Sequence, residues 1–130
     1  MKILIVDDSA TARMFIRRCL EISGLREAEF TEAGNGEEAM SLLKEGDVSA
    51  VFTDLNMPGM DGETLLRKVR SSPMLTELPV IIVSSAGNQA REKKLLEMGA
   101  AAVLKKPPSP AQFMGVVKQI KGKGASGYEG

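Results

Sequence analysis

Four short runs of apolar and β-branched residues constrain the fold of this 130-residue chain most strongly. Each run is apolar at consecutive positions, not at alternate ones, which is typical of strands covered on both faces of a parallel sheet. The runs are residues 3–6, 50–53, 80–83 and 101–104. A fifth, weaker strand, roughly Glu27 to Thr31, alternates in polarity and suits an edge of the sheet.

Helical patterns lie between these strands. Two segments carry apolar residues at the spacing of one buried stripe, namely Ala12, Phe15, Ile16, Cys19 and Leu20, and then Phe113, Val116, Val117 and Ile120. Gly24 can end the first of these helices. Shorter clusters at 39–43, 65–69 and 95–96 mark three more. Strand and helix alternate five times, which predicts one doubly wound α/β domain with helices on both faces of a five-stranded parallel sheet.

The composition excludes several classes of function. Lys plus Arg equals Asp plus Glu at 17 each, so no net charge favours nucleic acid or an anionic membrane as a partner. Histidine is absent, which excludes histidine-based catalysis and histidine metal ligands. Cys19 is the single cysteine, and no apolar run is long enough for a membrane span. We therefore expect a cytoplasmic protein.

Polar side chains follow the ends of four of the five predicted strands. They are Asp7 and Asp8 after strand one, Asp54 and Asn56 after strand three, Ser84 and Ser85 after strand four, and Lys105 and Lys106 after strand five. If the strand order is 2-1-3-4-5, these four ends are neighbours, and the order reverses between strands one and three. Open α/β sheets bind ligands at that reversal.

Such an arrangement would gather three carboxylates, a hydroxyl and an ammonium in one pocket. Three carboxylates at close range repel one another unless a proton or a cation compensates them. Oxygen ligands without His or Cys select a hard cation, and Mg²⁺ fits best, with Mn²⁺ as an in vitro substitute. A lysine and a hydroxyl aimed at the same point would hold a phosphoryl group, and one carboxylate could attack it.

The motifs together resemble the receiver domains of two-component response regulators. The resemblance rests on Asp7-Asp8-Ser9, the segment from Asp54 to Gly62, Ser84 and Lys106-Pro107, in this order along the chain. It covers roughly residues 1–121, and residues 122–130 are predicted to be a flexible tail. The resemblance implies the flavodoxin-like strand order 2-1-3-4-5.

The resemblance also implies roles for the acidic residues. Asp7 and Asp8 correspond to the acidic pair that binds Mg²⁺, one directly and one partly through water. Asp54 corresponds to the phosphoacceptor and is itself a metal ligand. Asn56 is expected to give the metal its backbone carbonyl.

Two further residues resemble the family's hydroxyl and lysine. Ser84 corresponds to the switch hydroxyl that binds the phosphoryl oxygen, and Lys106 to the lysine that pairs with it. We prefer Lys106 to Lys105 because a proline follows it and Gly99 lies seven residues before it. The Lys106–Pro107 bond is cis in many relatives.

The implied function is a signalling protein that takes a phosphoryl group from a sensor histidine kinase. Its only catalysis would be its own phosphotransfer and autodephosphorylation. The target is a downstream protein of unknown identity, bound through the face of helix four, strand five and helix five. Val103 and Pro108 stand where many receivers carry an aromatic residue, so we expect different packing there. The run from Asp7 to Arg13 favours a stand-alone chemotaxis-type regulator, either monomeric or a weak phosphorylation-dependent dimer.

Simpler interpretations and other functions stay open at this point. Asp8 and Ser9 are also suited to cap the first helix, Asp61 to cap the third, and Asp54 to a turn before Pro58. The chain is also compatible with a receiver cut from a multidomain regulator, or with one used only for binding. A haloacid-dehalogenase-like phosphatase and a flavodoxin-like FMN binder share the layout, but their motifs match this sequence less well.

Overall fold

The computed structural model describes residues 1–85, 88–107 and 109–129, and for residues 123–129 the backbone alone. Over these residues, five strands alternate with five α-helices. In chain order they are β1 (Lys2–Val6), α1 (Ala10–Leu20), β2 (Glu29–Ala33), α2 (Gly36–Lys44), β3 (Val48–Asp54), α3 (Gly62–Ser71), β4 (Val80–Ser84), α4 (Gln89–Glu97), β5 (Ala102–Lys105) and α5 (Pro110–Glu129). A short 3₁₀ turn, Pro73–Leu75, precedes β4.

The five strands are parallel and lie in the order β2-β1-β3-β4-β5, which confirms the predicted fold. Their register is nearly level at the carboxyl ends. Val6 pairs with Thr53, Asp54 with Val83, and Ser84 with Lys105. The polar residues that follow these strands therefore reach one edge of the sheet.

Each face of the sheet packs against its own set of helices. On one face, α1 and α5 cover alternate residues of β1, β3 and β4, and the rings of Phe52 and Phe113 lie 5.7 Å apart. On the other face, α2, α3 and α4 cover the remaining alternate residues. This double cover explains why the central strands are apolar at consecutive positions.

The buried face of α1 is narrower than the sequence pattern predicts. The spacing predicts Phe15 on the buried stripe, and this is wrong, since the residue is 56% exposed. The residues of α1 that are fully covered are Ile16, Cys19 and Leu20. Phe15 precedes Ile16 by about 100° around the helix, which turns its ring out of the contact with α5 and the sheet.

The edge strand β2 begins two residues later than predicted, at Glu29. The segment after α1 delays it, because the chain makes a further turn, Glu21–Leu25, that is kinked at Gly24. Gly24 has a φ of 120°, outside the helical region, so the regular helix is interrupted at the residue predicted to end it. The amide of Ala28 then binds the Leu25 carbonyl at 3.2 Å, which completes the connection to β2.

The last helix, α5, extends to Glu129 and so includes most of the segment predicted as a tail. Among residues 110–122, the part of this helix whose burial is described, the last buried residue is Ile120. The division at residue 121 stays a prediction. Among the described residues, none of the helices combines the length and the apolar character that a membrane crossing requires.

Candidate functional site

The end of β1 places two carboxylates at the carboxyl edge of the sheet. Asp7 is buried, with 1% of its surface exposed, whereas Asp8 is exposed. Ser9 caps α1 by accepting a hydrogen bond from the amide of Ala12 at 3.2 Å. The Ser9 amide donates to Asp7 Oδ1 at 2.9 Å. The cap is therefore Ser9, and both carboxylates lie outside it.

Asp54 is the last residue of β3 and is 7% exposed. The Leu55 amide donates to Asp54 Oδ1 at 2.9 Å and orients the carboxylate. The hydroxyl of Thr53 donates to the Asp54 carbonyl at 3.0 Å. A buried carboxylate that a neighbouring amide orients in this way is more than a turn residue.

Lys106 links the two buried acids. Its Nζ lies 3.0 Å from Asp7 Oδ2 and 3.3 Å from Asp54 Oδ1. The Lys106–Pro107 peptide is cis, as the resemblance implied. Lys105, by contrast, is exposed, which agrees with the choice of Lys106 as the lysine of the site.

The carboxylates of Asp7, Asp8 and Asp54 can place one oxygen each within 4.8 Å of one another. Three negative charges with the one ammonium of Lys106 leave a local net charge of −2. A divalent cation would balance this charge, and the oxygen donors are those that Mg²⁺ prefers. The residues present therefore fit a hard divalent cation.

The ionisation of the site reflects burial and mutual charge. Burial raises the pKa of Asp54 above 3.8, and the charge of Asp7 adds to this, although Lys106 and the Leu55 amide oppose it. Burial alone would lower the pKa of Lys106. The hydrogen bonds to Asp7 and Asp54 and the charges of both acids outweigh burial, and the pKa of Lys106 lies above 10.5.

Ser84 and Asn56 flank this group. Ser84 is the last residue of β4, is 2% exposed, and accepts a hydrogen bond at its carbonyl from the Lys106 amide at 2.9 Å. Asn56 lies two residues after Asp54, with its side chain exposed. The roles predicted for the Ser84 hydroxyl and the Asn56 carbonyl stay predictions.

Three other positions from the sequence analysis have varied outcomes. Asp61 caps α3 by accepting from the Thr64 amide at 2.8 Å, as predicted, and this hydrogen bond lowers the pKa of Asp61. Val103, at the position of the family's aromatic residue, is half-buried and packs against the core beneath α2, α3 and α4. Pro108 lies outside the described residues.

Two residues of the site were not found by sequence reasoning. Arg13 donates from Nη1 to the Asp7 carbonyl, and Gly62 lies directly against the main chain of Asp54. The signal for Arg13 is weak, because nothing in the sequence shows that an arginine in the second turn of α1 reaches back to the Asp7 carbonyl. The signal for Gly62 is its place at the start of α3, where the helix must pass close to the end of β3.

Comparisons with known proteins agree with this geometry. A family model described as the response regulator receiver domain matches residues 3–118. The chain is 36% identical to the chemotaxis protein CheY homolog of Campylobacter jejuni, over 96% of this chain and 95% of that protein. It is also 36% identical to the sensor histidine kinase CheAY of Helicobacter pylori, over 90% of this chain and 14% of that protein. The receiver domain of the Francisella response regulator 1452 superposes with a TM-score of 0.81 at 28% identity, over 94% of this chain and 97% of that one.

Proposed function

The chain belongs to the family of response regulator receiver domains, and from this we propose that it is a phosphorylation switch of the chemotaxis type. It takes a phosphoryl group from a sensor histidine kinase onto Asp54 in a Mg²⁺-dependent reaction. The observation that carries this proposal is the grouping of three carboxylates at the carboxyl edge of the sheet, two of which pair with Lys106. A group of this charge needs a cation and presents a nucleophile to a phosphoryl group.

The groups that would hold Mg²⁺ are the carboxylates of Asp7, Asp8 and Asp54 and the backbone carbonyl of Asn56. When bound, Mg²⁺ supplies positive charge that offsets the charge of the phosphoryl oxygens. Mn²⁺ has the same preference for oxygen donors and would replace it in vitro.

The protein's own residues perform the transfer. An oxygen of Asp54 forms a bond to phosphorus while the bond from phosphorus to the donor imidazole nitrogen breaks, and the electron pair leaves with that nitrogen. The Leu55 amide holds the attacking carboxylate in place. The Lys106 ammonium and the Ser84 hydroxyl bind the oxygens of the transferred group. Water later hydrolyses the acyl phosphate and resets the switch.

The proposed output is a change in the surface formed by α4, β5 and α5, to which a downstream protein binds. The described contacts of α4 support this, because Leu95 is its one buried residue. Ion pairs from Glu63 of α3 to Arg91 and Lys94, at 3.3 and 3.5 Å, supply further attachment. The proposal further includes a receiver domain of residues 1–121, a cytoplasmic location, and a monomer or a weak dimer on phosphorylation.

The proposal is tested by intact-mass spectrometry after incubation with acetyl phosphate. We expect one adduct of about 80 Da in the wild type with Mg²⁺. The adduct should be lost in chelator and in Asp54→Asn. Asp47→Asn is the matched control, since Asp47 is an exposed acid just before β3, at the opposite end of that strand, and its adduct should equal that of the wild type.

Other results would overturn the proposal. An adduct that persists in Asp54→Asn would place the phosphoryl group on another residue. If the wild type forms no adduct and binds no beryllofluoride with Mg²⁺, the chain is a receiver fold used for binding alone. Continuous release of phosphate from external esters, abolished by Asp54→Asn, would favour the phosphatase alternative.

A further inference from the structure

Asp7 is held in place by hydrogen bonds to the peptide group on each side of it. The Asp7 amide donates to the carbonyl of Ala33, at the end of β2, at 3.1 Å. On the other side, the carbonyl of the peptide that joins Asp7 to Asp8 accepts a hydrogen bond from Arg13 Nη1. Asp8 itself is exposed, so the direction of its carboxylate depends on the orientation of this peptide.

The Arg13 guanidinium is itself fixed. Its Nε donates to Glu32 Oε1 at 2.7 Å, and the Arg13 side chain is only 19% exposed. Gly34 lies beside it, since a Cβ at that position would be 3.8 Å from Nη1. The planar guanidinium therefore connects the peptide after β1 to Glu32, near the end of β2, through two fixed donors.

Glu32 also has an electrostatic effect. A guanidinium next to three carboxylates would repel a divalent cation if its charge were not balanced. The Glu32 carboxylate balances that charge at 2.7 Å. Arg13 can thus hold the peptide without adding net positive charge to the cation site.

We propose that Arg13 is a positioning residue for the cation site, and that Glu32 holds and neutralises it. Arg13 acts through the Asp7–Asp8 peptide and touches neither the cation nor the phosphoryl group. The inference rests on the proposed function in so far as it assumes that the acidic group binds Mg²⁺. Partners one step removed from metal ligands typically change metal affinity by 10–100-fold when they are lost.

A positioning role and a purely electrostatic role predict opposite changes in Mg²⁺ affinity when Arg13 is replaced. Arg13→Met removes a positive charge and leaves Glu32 unpaired, so electrostatics alone would tighten Mg²⁺ binding. Loss of the hydrogen bond to the Asp7 carbonyl would weaken binding instead. We expect weakening by about tenfold. The direction of the change therefore decides between the two roles.

The experiment measures Mg²⁺ affinity of the full chain by isothermal titration calorimetry. The variants are Arg13→Met, Arg13→Lys, Glu32→Gln and the double variant of Arg13→Met with Glu32→Gln. Arg13→Lys should fall between wild type and Arg13→Met, because an ammonium lacks the fork of two donors. The double variant should bind at least as weakly as Arg13→Met, because it lacks both the hydrogen bond to the Asp7 carbonyl and the unpaired charge of Glu32. Arg18→Met, an exposed arginine of the same helix, should equal the wild type.

Each outcome separates this inference from the proposed function. Wild-type binding of Mg²⁺ with equal or tighter binding by Arg13→Met would overturn the positioning role and leave the proposed function standing. A wild type that does not bind Mg²⁺ would overturn the proposed function first. If circular dichroism shows that Arg13→Met is unfolded, the Mg²⁺ affinities of Arg13→Lys and Glu32→Gln test the positioning role instead. Weaker binding than the wild type supports the role, and equal or tighter binding overturns it. Faster amide exchange of Asp8 and Ser9 in the metal-free Arg13→Lys variant would support the role without relying on activity.

Discussion

Replacement of Gly62 by alanine tests how closely α3 approaches the phosphoacceptor. The Gly62 amide donates to the Leu55 carbonyl at 2.8 Å, which draws the start of α3 onto the end of β3. A Cβ at residue 62 would lie 2.3 Å from the Asp54 carbonyl oxygen and 2.9 Å from Leu55 Cα. These obstacles are main-chain atoms, so the clash cannot be relieved by turning a side chain. The substitution must displace either α3 or the backbone of Asp54.

The expected loss can be worked from two opposing effects. Overpacking a close contact costs about 1–3 kcal/mol, and a backbone obstacle favours the upper end of that range. Alanine gains at most about 1 kcal/mol over glycine in a helix. The net result for Gly62→Ala is a loss of about 2 kcal/mol in the free energy of unfolding. For a chain of this size, Tm should fall by about 6–10 °C.

Gly115→Ala is the matched control. Gly115 is an exposed residue of α5, and a Cβ built there would have no described atom within 4 Å apart from its chain neighbours and the adjacent backbone of its own helix. The same change should therefore stabilise the protein, by up to about 1 kcal/mol. Urea unfolding followed by circular dichroism measures both variants, and mass spectrometry with acetyl phosphate should show a reduced adduct for Gly62→Ala alone. If Gly62→Ala is as stable as Gly115→Ala, the argument from the close approach is refuted.

Three further changes probe the charges of the site and the attachment of α4. Since the pKa of Asp54 is raised in the fold, the stability linked to it is fully present below pH 3.8 and is lost as pH rises through the raised pKa. Without metal, Asp54→Asn should thus have a higher Tm than the wild type at neutral pH. An equal difference in Tm below pH 3.8 would contradict this. Lys106→Met removes the ammonium that Asp54 and Asp7 share, so the free energy of unfolding in chelator should fall by about 1–3 kcal/mol. Mg²⁺ should then raise its Tm by more than in the wild type, and an equal rise would count against the charge balance described above. Glu63→Gln should cost less than about 1 kcal/mol but speed hydrogen exchange of α4 (Gln89–Glu97), and unchanged exchange would show that these ion pairs do not restrain the helix.

The sequence predicted the central strands well because their environment is uniform. β1, β3 and β4 are covered on both faces, so nearly every residue is apolar and the pattern has one interpretation. The edge strand β2 is half-covered, and its mixed exposure gives no sharp start. The strand order came from the family resemblance, since no apolar pattern states which strands are neighbours.

The candidate site was predictable where its residues follow strand ends, and not where contacts join distant segments. Asp54 could be found because a carboxylate directly after a buried strand needs an explanation. Arg13 and Glu32 are 19 residues apart and meet only because α1 lies beside the end of β2. Phe15 was misplaced for a related reason. The spacing gives the direction of an apolar stripe, but the packing of α5 decides how wide the covered part is.

The arrangement of β4 and β5 explains how an event at Asp54 would reach the surface. Ser84 pairs with Lys105, and the Lys106 amide binds the Ser84 carbonyl, so the hydroxyl and the ammonium of the site stand on adjoining strand ends. A phosphoryl group on Asp54 would draw both toward the same oxygens and would therefore shift these two ends together. The helix that connects them, α4, has Leu95 as its one buried residue, whereas α3 has four. Of the described α-helices, the one with the fewest buried residues thus lies between the two groups that would respond to the phosphoryl group in the proposed mechanism, so α4 is the helix that a small displacement there would move most easily.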